Sequence, residues 1–252
     1  MPMRASVLVT IPVSHYCEKA RWALERAGVP FREEGHLPVF NRLAALRRGA
    51  WSSVPLLVTE EGLLRGSGAI LRWADRRAPP GRRLLPDEPD GRAEVERWER
   101  VADDELGPAT RRLAYSWVLA DRALALRMSS VGVPGFELAF TRLAYAQVRR
   151  GMERGLQIDP ARLGQARATV DAAFARVGEH LRDGRPYLCG VRFSAADLAF
   201  AALAAPVVLP PAYGGPLPTP GELPPAARAE VERWRATPAG RHVLRLYETG
   251  RR

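Results

Sequence analysis

Short apolar runs and helically spaced apolar positions alternate along the first 80 residues of the chain. Residues 7–11 form an apolar run of strand length, and Pro12 predicts its end because proline cannot donate to a sheet ladder. Apolar residues then recur at the spacing of one helical face: Ala20, Ala23, Leu24 and Ala27. Gly28 and Pro30 suit the end of that helix. The pattern therefore predicts a buried strand, a turn and a helix.

Further elements are predicted before residue 79. Residues 31–34 form a second strand, and residues 40–48 form either a short helix or an irregular arm. Two apolar runs, at 54–58 and 63–64, flank a turn signal and indicate a hairpin. A helix opens at Ser67, with an apolar face made by Ile70, Leu71 and Ala74. The order is β-α-β, an arm, then β-β-α, which resembles the thioredoxin-like order.

The rest of the chain is predicted to be helical. Residues 79–92 are rich in proline, glycine and charge, which is typical of a linker. Apolar stripes at helical spacing follow, and we expect them to be core positions: Val95, Trp98, Val101 and Ala102, then less cleanly Leu138, Thr141, Leu143 and Ala144, then Val170, Ala173, Phe174, Val177 and Leu181. Residues 206–225 are predicted to form a Pro/Gly-rich loop, and two short helices are predicted after it.

This pattern predicts two domains. An α/β thioredoxin-like N-terminal domain spans residues 1–78, the linker spans 79–92, and a larger all-α C-terminal domain spans 93–252. Ser194 and Asp197 have the spacing of a capping box, and Phe193 and Leu198 supply its hydrophobic staple. We expect a purely structural role for this box.

Net charge and histidine spacing argue against specific nucleic-acid binding and against a metal site. The net charge is +10, Lys19 is the only lysine, and the arginines occur singly or in pairs among acidic residues. This favours solvated helix faces, so we expect weak, salt-sensitive binding to nucleic acid at most, with no preferred sequence. The four histidines lie far apart, without the spacing of metal ligands.

Two cysteines far apart in sequence, Cys17 and Cys189, indicate a reducing compartment, and we expect a cytoplasmic location. Residues 198–213 form the longest uncharged apolar run, which is too short for a bilayer and is interrupted by prolines. We therefore expect no membrane-spanning helix and no membrane partner.

Candidate chemistry lies at the turn before the first helix, because a helix N-terminus presents unpaired N–H groups and partial positive charge. Cys17 lies three residues before Ala20 and seven before Leu24, which turns it toward the core. Ser14 precedes the helix and can face solvent or a ligand. Burial raises a thiol pKa and a helix start lowers it, so we expect Cys17 to have a nearly ordinary pKa.

Four motifs resemble those of the glutathione transferase superfamily, in the same order. Residues 14–21 (SHYCEKAR) are similar to the family's Ser-Pro-Tyr/Phe-x-x-Lys-x-Arg, with His15 in place of the proline. Val54-Pro55 resembles the Val-Pro that precedes the third strand with a cis proline. Residues 66–70 (GSGAI) resemble the family's Glu/Gln-Ser-x-Ala-Ile. Residues 187–190 (YLCG), followed by the capping box, resemble its helical domain.

The resemblance implies glutathione as co-substrate, a small hydrophobic electrophile as second substrate, and a homodimer. It implies that Ser14 stabilises the glutathione thiolate and that Tyr16 also belongs to the glutathione site. The Val54 backbone would pair with the cysteinyl backbone at Pro55, and Ser67 would cap its helix and bind the γ-glutamyl carboxylate. Gly66 occupies the place of the family's acid, so weak affinity is expected, and Gly66→Glu should tighten it.

Three alternatives remain open, of which nucleic-acid binding through the arginines is the third. In the first, Cys17 is itself the nucleophile and forms a mixed disulfide with glutathione, since a cysteine near a helix start can have a depressed pKa. In the second, the same fold is a non-catalytic binding or assembly module, which the Gly66 and His15 departures favour.

Overall fold

The computed structural model describes residues 6–50 and 54–251 and divides the chain into two compact units. The first unit contains Met1–Leu84, Leu126–Leu143 and Gly214–Pro216. The second contains Leu85–Ala125, Ala144–Tyr213 and Leu217–Arg252. The first unit thus takes in a segment from the middle of the chain, residues 126–143, which lies within the predicted helical region.

A four-stranded mixed sheet is the centre of the first unit. Its strands are β1 (Ser6–Thr10), β2 (Phe31–Gly35), β3 (Leu56–Thr59) and β4 (Gly62–Arg65), in the order β2-β1-β3-β4. β1 runs parallel to β2 and antiparallel to β3, which forms a hairpin with β4. The parallel pair requires a crossover, which the first helix supplies. The predicted thioredoxin-like α/β fold is therefore confirmed.

The helix α1 (His15–Arg26) makes this crossover and ends as predicted at Gly28. Gly28 has φ +68°, a conformation that glycine adopts without strain. The Gly28 amide donates to the Glu25 carbonyl, and the Val29 amide donates to the Leu24 carbonyl, each at 3.0 Å. These two bonds form a Schellman motif, which satisfies the last carbonyls of the helix.

Two more helices of the first unit follow from the chain's local pattern. The segment predicted as helix or arm is the helix α2 (Phe40–Leu46), and α3 (Ser67–Asp75) packs against α1. Val39 precedes α2 with φ +80° and ψ −55°, a strained conformation for a β-branched residue. The predicted apolar face of α3 is buried, with Ile70, Leu71 and Ala74 all fully inaccessible.

Helices make up nearly all the remaining regular structure. They are α4 (Pro89–Arg100), α5 (Gly107–Val118), α6 (Arg122–Ser129), α7 (Gly135–Leu143), α8 (Tyr145–Gly155), α9 (Pro160–His180), α10 (Ala195–Val208), α11 (Pro225–Arg235) and α12 (Pro238–Gly250). A π-helical stretch, Val101–Leu106, joins α4 to α5. Every residue of α10 is buried, and α4, α5, α11 and α12 pack against it. α10 is therefore the core of the second unit.

The structure corrects two of the expectations for the helical region. Pro206 lies inside α10 and does not begin a loop. It is tolerated in the last turn, where the loss of one helical hydrogen bond matters least, and buried apolar packing surrounds it. Leu143, predicted to be a core position, is 89% exposed at the end of α7. Thr141, which was predicted to share that face, is buried as expected, so only part of the predicted face of α7 turns inward.

Ser194 and Asp197 form the capping box at the start of α10. The fully buried Asp197 carboxylate accepts hydrogen bonds from the Ser194 amide at 3.0 Å and the Ser194 hydroxyl at 2.9 Å. Its other oxygen accepts from the Leu188 amide at 2.8 Å and lies 3.3 Å from His242 Nε2. Arg245 Nη2 lies 3.0 Å from His242 Nδ1 and can only donate, so Nε2 carries the proton that faces Asp197.

We expect Asp197→Ala to lower the free energy of unfolding by about 2–4 kcal/mol, because it removes a cap and leaves buried donors unpaired. Chemical denaturation measures this loss. Asp183→Ala removes a carboxylate that is about half exposed and serves as the matched control, with a much smaller change. Unchanged stability in Asp197→Ala, together with loss of ligand binding, would show that this box is not structural.

Candidate functional site

The turn between β1 and α1 places Ser14 at the N-cap of the helix. Its amide donates to the Ile11 carbonyl, and its carbonyl accepts from the Glu18 amide, both at 2.9 Å. Its side chain makes no capping hydrogen bond and is half-buried. The helix dipole places partial positive charge at this position. The Ser14 hydroxyl lies within hydrogen-bond reach of the Cys17 thiol and can rotate to donate its one proton to an anion at the end of the helix.

Cys17 lies inside the protein, as the helical pattern predicted. It is fully buried in a cluster with six other residues: Val9, Ala44, Ala45, Ala50, Val54 and Leu56. Burial raises the pKa of the thiol to about 11, although a hydrogen bond from the Ser14 side chain and the charge of Arg21 act to lower it. The expectation of a nearly ordinary pKa was wrong, because desolvation outweighs both favourable interactions.

Val54 and Pro55 lie next to this turn and are joined by a cis peptide bond. Val54 packs in the same cluster as Cys17, so it lies beside the start of α1. The Pro55 carbonyl accepts from the Gly66 amide at 3.0 Å. No hydrogen bond joins the Val54 backbone to another residue of the described chain. Among the described residues, the Val54 backbone thus has no partner that would prevent it from pairing with an extended backbone.

The helix α3 begins beside Pro55 and presents its first turn to the same region. Ser67 is the first helical residue, and Gly66 is the N-cap, so the expected N-cap role of Ser67 is wrong. The difference arises because Gly66 has φ +82° and ψ 154°, a conformation essentially restricted to glycine. The first bond within this turn is from the Ile70 amide to the Gly66 carbonyl, at 3.2 Å. The preceding amides make the start of α3 a site for an anion.

His15 and Tyr16 form the remainder of the turn. His15, which stands where the resemblance has a proline, is 3% exposed as the first residue of α1. Its ring lies 4.6 Å from the Tyr16 ring, centroid to centroid. Tyr16 is half-buried. The substitution of proline by histidine therefore leaves a regular helix start, with the His15 ring packed against the Tyr16 ring.

A buried ionic network that sequence reasoning missed holds α1 against the sheet. Arg21 donates from Nη1 to Glu18 Oε2 at 2.6 Å, and from Nη2 and Nε to the two oxygens of Glu33 at 2.7 and 3.0 Å. Thr10 adds a hydroxyl bond to Glu33 at 2.7 Å. Burial raises the pKa of Glu33, but the bonds from Arg21 more than offset this, and its pKa lies below the ordinary value. The available signal was the Glu-x-x-Arg spacing at 18 and 21.

The segment 126–143 reaches the same end of the sheet, a contact that no local sequence pattern predicts. Its buried Glu137 accepts from the Leu37 amide at 2.8 Å and lies 2.6 Å from His36 Nδ1. His36 Nε2 in turn lies 3.0 Å from Glu34. A Cβ at Gly35 would approach the Gly132 carbonyl oxygen to 2.3 Å. The segment therefore packs against the loop that follows β2.

Two classes of site have no candidate within the described residues. Between residues 6 and 251, leaving aside 51–53, no three histidine, cysteine or acidic side chains are grouped to hold a metal ion. Nor does any helix of that part of the chain have the length and apolar character needed to cross a membrane.

Comparisons with protein families identify both parts of the chain. The family model described as "Glutathione S-transferase, N-terminal domain" matches residues 8–83. The model described as "Glutathione S-transferase, C-terminal domain" matches residues 142–237. No curated protein matches this chain. The two matches stand in the order of the two predicted domains, and residues 84–141 lie between them.

Solved structures share the fold at low sequence identity. A glutathione S-transferase from Sinorhizobium meliloti has a TM-score of 0.60 and 21% identity, with 96% of this chain and 93% of that chain covered. One from Methylobacterium radiotolerans, in complex with glutathione sulfonate, has a TM-score of 0.56 and 20% identity over 96% and 95%. One from Methylobacillus flagellatus, with GSH bound, has a TM-score of 0.55 and 19% identity over 95% and 98%.

We expect Gly66→Ala and Gly66→Glu to lower the free energy of unfolding by similar amounts, about 1–3 kcal/mol, because both force a side chain into the φ of glycine. Space is not the obstacle, since a Cβ at Gly66 meets no atom within 4 Å. Urea denaturation of the two variants and of Gly81→Ala, a control without positive φ, measures this. Equal stability of all three and the wild type would contradict the strain.

We expect Cys17 to be alkylated by iodoacetamide about a hundredfold more slowly than an exposed cysteine near neutral pH, since its thiolate fraction falls with its raised pKa. The measurement uses mass spectrometry of the folded protein, with the unfolded protein as control. The rate should rise with pH toward 11 for as long as the fold persists. Rapid labelling of Cys17 at neutral pH would overturn its assignment as a buried structural thiol.

Proposed function

We propose that this chain, which belongs to the glutathione transferase superfamily, joins the thiolate of glutathione to a small hydrophobic electrophile, with Ser14 stabilising the thiolate. One observation carries the choice of Ser14. The Ser14 hydroxyl lies half-buried at the N-cap of α1, whereas the neighbouring thiol of Cys17 is fully buried with a pKa of about 11.

Glutathione binding is supported by three features around the start of α1 and by two neighbours that bind it or its analogue. The Val54 backbone makes no hydrogen bond to the described residues, which suits pairing with an extended cysteinyl backbone beside Pro55. The first turn of α3, with Ser67, suits the γ-glutamyl carboxylate. Tyr16, two residues after Ser14 and packed on the His15 ring, completes the proposed glutathione site, as the resemblance implies.

The chemistry follows from hydrogen bonding to a charged sulfur. An O–H donor that binds the thiolate more strongly than the thiol lowers the thiol's pKa and raises the thiolate fraction at neutral pH. The thiolate then supplies the electron pair for a new carbon–sulfur bond to the electrophile. In a substitution the leaving group departs from the electrophile with its bonding pair, and in an addition the carbanion that forms takes up a proton. Ser14 keeps its own proton throughout and needs no depressed pKa.

Gly66 predicts weak glutathione affinity within this proposal. The resemblance places an acid there for the γ-glutamyl ammonium, and glycine offers none. Gly66→Glu would add the carboxylate at the cost of backbone strain, and Gly66→Ala carries a similar strain without the charge. Tighter glutathione binding in Gly66→Glu than in Gly66→Ala, measured by calorimetry, therefore isolates the contribution of the charge.

The proposal also covers the cellular compartment, the oligomeric state and nucleic-acid binding. We place the protein in the cytoplasm, which accords with two free cysteines, Cys17 and Cys189. We propose a homodimer, as the family resemblance implies, which light scattering tests. Nucleic-acid binding is expected to be weak and to fall steeply with salt, because no sequence-reading element accompanies the positive charge.

A non-catalytic binding or assembly module is the second candidate, and the glycine at position 66 is the observation that favours it. The Cys17 alternative is less favoured, because a buried thiol with a raised pKa is a poor nucleophile. Calorimetric titration with glutathione separates the first candidate from the second. Binding at millimolar concentration or tighter supports the transferase, and absence of binding in that range supports the module.

We expect Ser14→Ala to lower glutathione conjugation about 10- to 100-fold, since a hydrogen bond to a charged group is worth about 1.5–3 kcal/mol. Cys17→Ala should change stability far more than turnover, because it leaves a small void in the core. The assay is turnover of a model electrophile at saturating and at limiting glutathione. If Cys17→Ala abolished activity and Ser14→Ala retained it, Cys17 would be the working residue.

A further inference from the structure

Apolar exposure is concentrated on two adjacent helices of the first unit. Seven of the eight large hydrophobic side chains found exposed in the described chain lie within residues 39–46 and 131–143: Val39, Leu43, Leu46, Val131, Phe136, Phe140 and Leu143. The eighth, Val191, lies in the second unit. Single exposed hydrophobic residues need no explanation, but such clustering indicates an interaction surface.

The two helices present these side chains as stripes. On α7, Phe136, Phe140 and Leu143 follow the i, i+4, i+7 spacing of one helical face and are 66%, 50% and 89% exposed. α7 packs through a neighbouring side, where Glu137 and Thr141 are buried about 100–140° round the helix from Phe136. The apolar stripe of α7 therefore stays largely exposed.

The stripe of α7 continues onto α2 through an aromatic contact. Phe40, the first residue of α2, lies 5.7 Å from the Phe136 ring and 5.5 Å from the Phe140 ring, edge-on to both. Leu43 follows Phe40 one turn later on α2 and is 46% exposed. The Phe40 ring therefore joins the two stripes, which we name together the α2–α7 apolar face.

The exposed charges on the two segments of this face have one sign. Arg42 on α2, Arg47 at its C-cap and Arg142 on α7 are exposed, and these segments contain a single acid, Glu137. Glu34 on β2 also lies at this end of the sheet, where Arg48 donates to it at 2.7 Å and His36 lies 3.0 Å away. Glu137 is buried against His36 and the Leu37 amide and offers no charge to solvent. The rim of the α2–α7 apolar face is therefore cationic, on a chain whose net charge is already +10.

We propose that the α2–α7 apolar face docks this protein on the surface of an anionic lipid bilayer. The Phe and Leu side chains enter the interface between headgroups and acyl chains, and the arginines contact lipid phosphates. This combination of an apolar helical face and flanking arginines is that of helices that lie in the plane of a membrane surface. The inference is independent of the proposed enzymatic function. It departs from the expectation of no membrane partner, which rested only on the lack of a run long enough to span a bilayer.

Charge favours an anionic bilayer over a second copy of the chain. A symmetric dimer through this face would bring the arginines of the two copies close to one another, and like charges across an interface oppose association.

Shape favours lipid over an acidic protein. The apolar side chains protrude, Leu143 most of all, and a fluid interface deforms around protruding side chains where a protein partner must supply matching pockets.

Co-sedimentation with lipid vesicles, in the absence of glutathione, tests the proposal. The wild-type protein should sediment with vesicles of phosphatidylcholine and phosphatidylglycerol, more weakly as salt rises, and not with phosphatidylcholine alone. Phe140→Ser and Leu143→Ser should each weaken vesicle binding about tenfold. Arg42→Gln and Arg47→Gln should each weaken it about fivefold. All four positions are exposed, so the fold should persist, and circular dichroism checks this.

The chain supplies matched controls outside the face. Val191→Ser removes a hydrophobic side chain that is 80% exposed in the second unit, and Arg162→Gln removes an exposed arginine there. Both should bind vesicles like the wild type, whereas equal loss in the controls and the face variants would overturn the proposal. So would wild-type vesicle binding in the face variants.

Two other outcomes would assign the face to a different occupant and thereby contradict the proposal. Dissociation of a dimer to monomers in Phe140→Ser and Leu143→Ser, measured by light scattering without any vesicle binding by the wild type, would show a self-association surface. Binding to a poly-glutamate peptide that depends on the same residues, again without vesicle binding, would show a surface for an acidic protein.

Discussion

The buried guanidinium of Arg21 is the interaction on which the proposed site depends. It joins the buried Glu18 on α1 to the partly exposed Glu33 on β2, so the helix cannot rotate or slide along the sheet without taking the guanidinium from Glu33. Losing Glu33 is costly because the Arg21 charge stays buried with one carboxylate fewer. This constraint fixes the helical phase that turns Cys17 into the core and leaves Ser14 at the N-cap.

That phase separates two side chains that are only three residues apart into different chemical environments. Burial disfavours the anionic form of the Cys17 thiol, so its pKa rises despite the nearby positive charge of Arg21. The Ser14 hydroxyl remains at the helix N-terminus, where a donor can meet an anion. The same geometry draws in the Val54 peptide and the start of α3, so three motifs distant in sequence converge beside one turn.

The sequence predicted features that depend on local patterns and missed those that depend on tertiary contacts. The strands, the end of α1 at Gly28 and the burial of Cys17 follow from periodicity and glycine geometry, and all were confirmed. The pKa of Cys17 could not be predicted, because it depends on how completely the surrounding core excludes water. Nor could the contact of Glu137 with Leu37, since 100 residues separate them and no local pattern connects them.

The pKa of glutathione bound to the protein tests the central claim most directly, and thiolate absorbance against pH measures it. The account predicts a bound pKa at least one unit below the ordinary thiol value of about 8.5. It predicts that Ser14→Ala raises this pKa by about 1–2 units and that Cys17→Ala leaves it unchanged. An unaltered pKa in Ser14→Ala, or a shift of that size in Cys17→Ala, would contradict the assignment of Ser14.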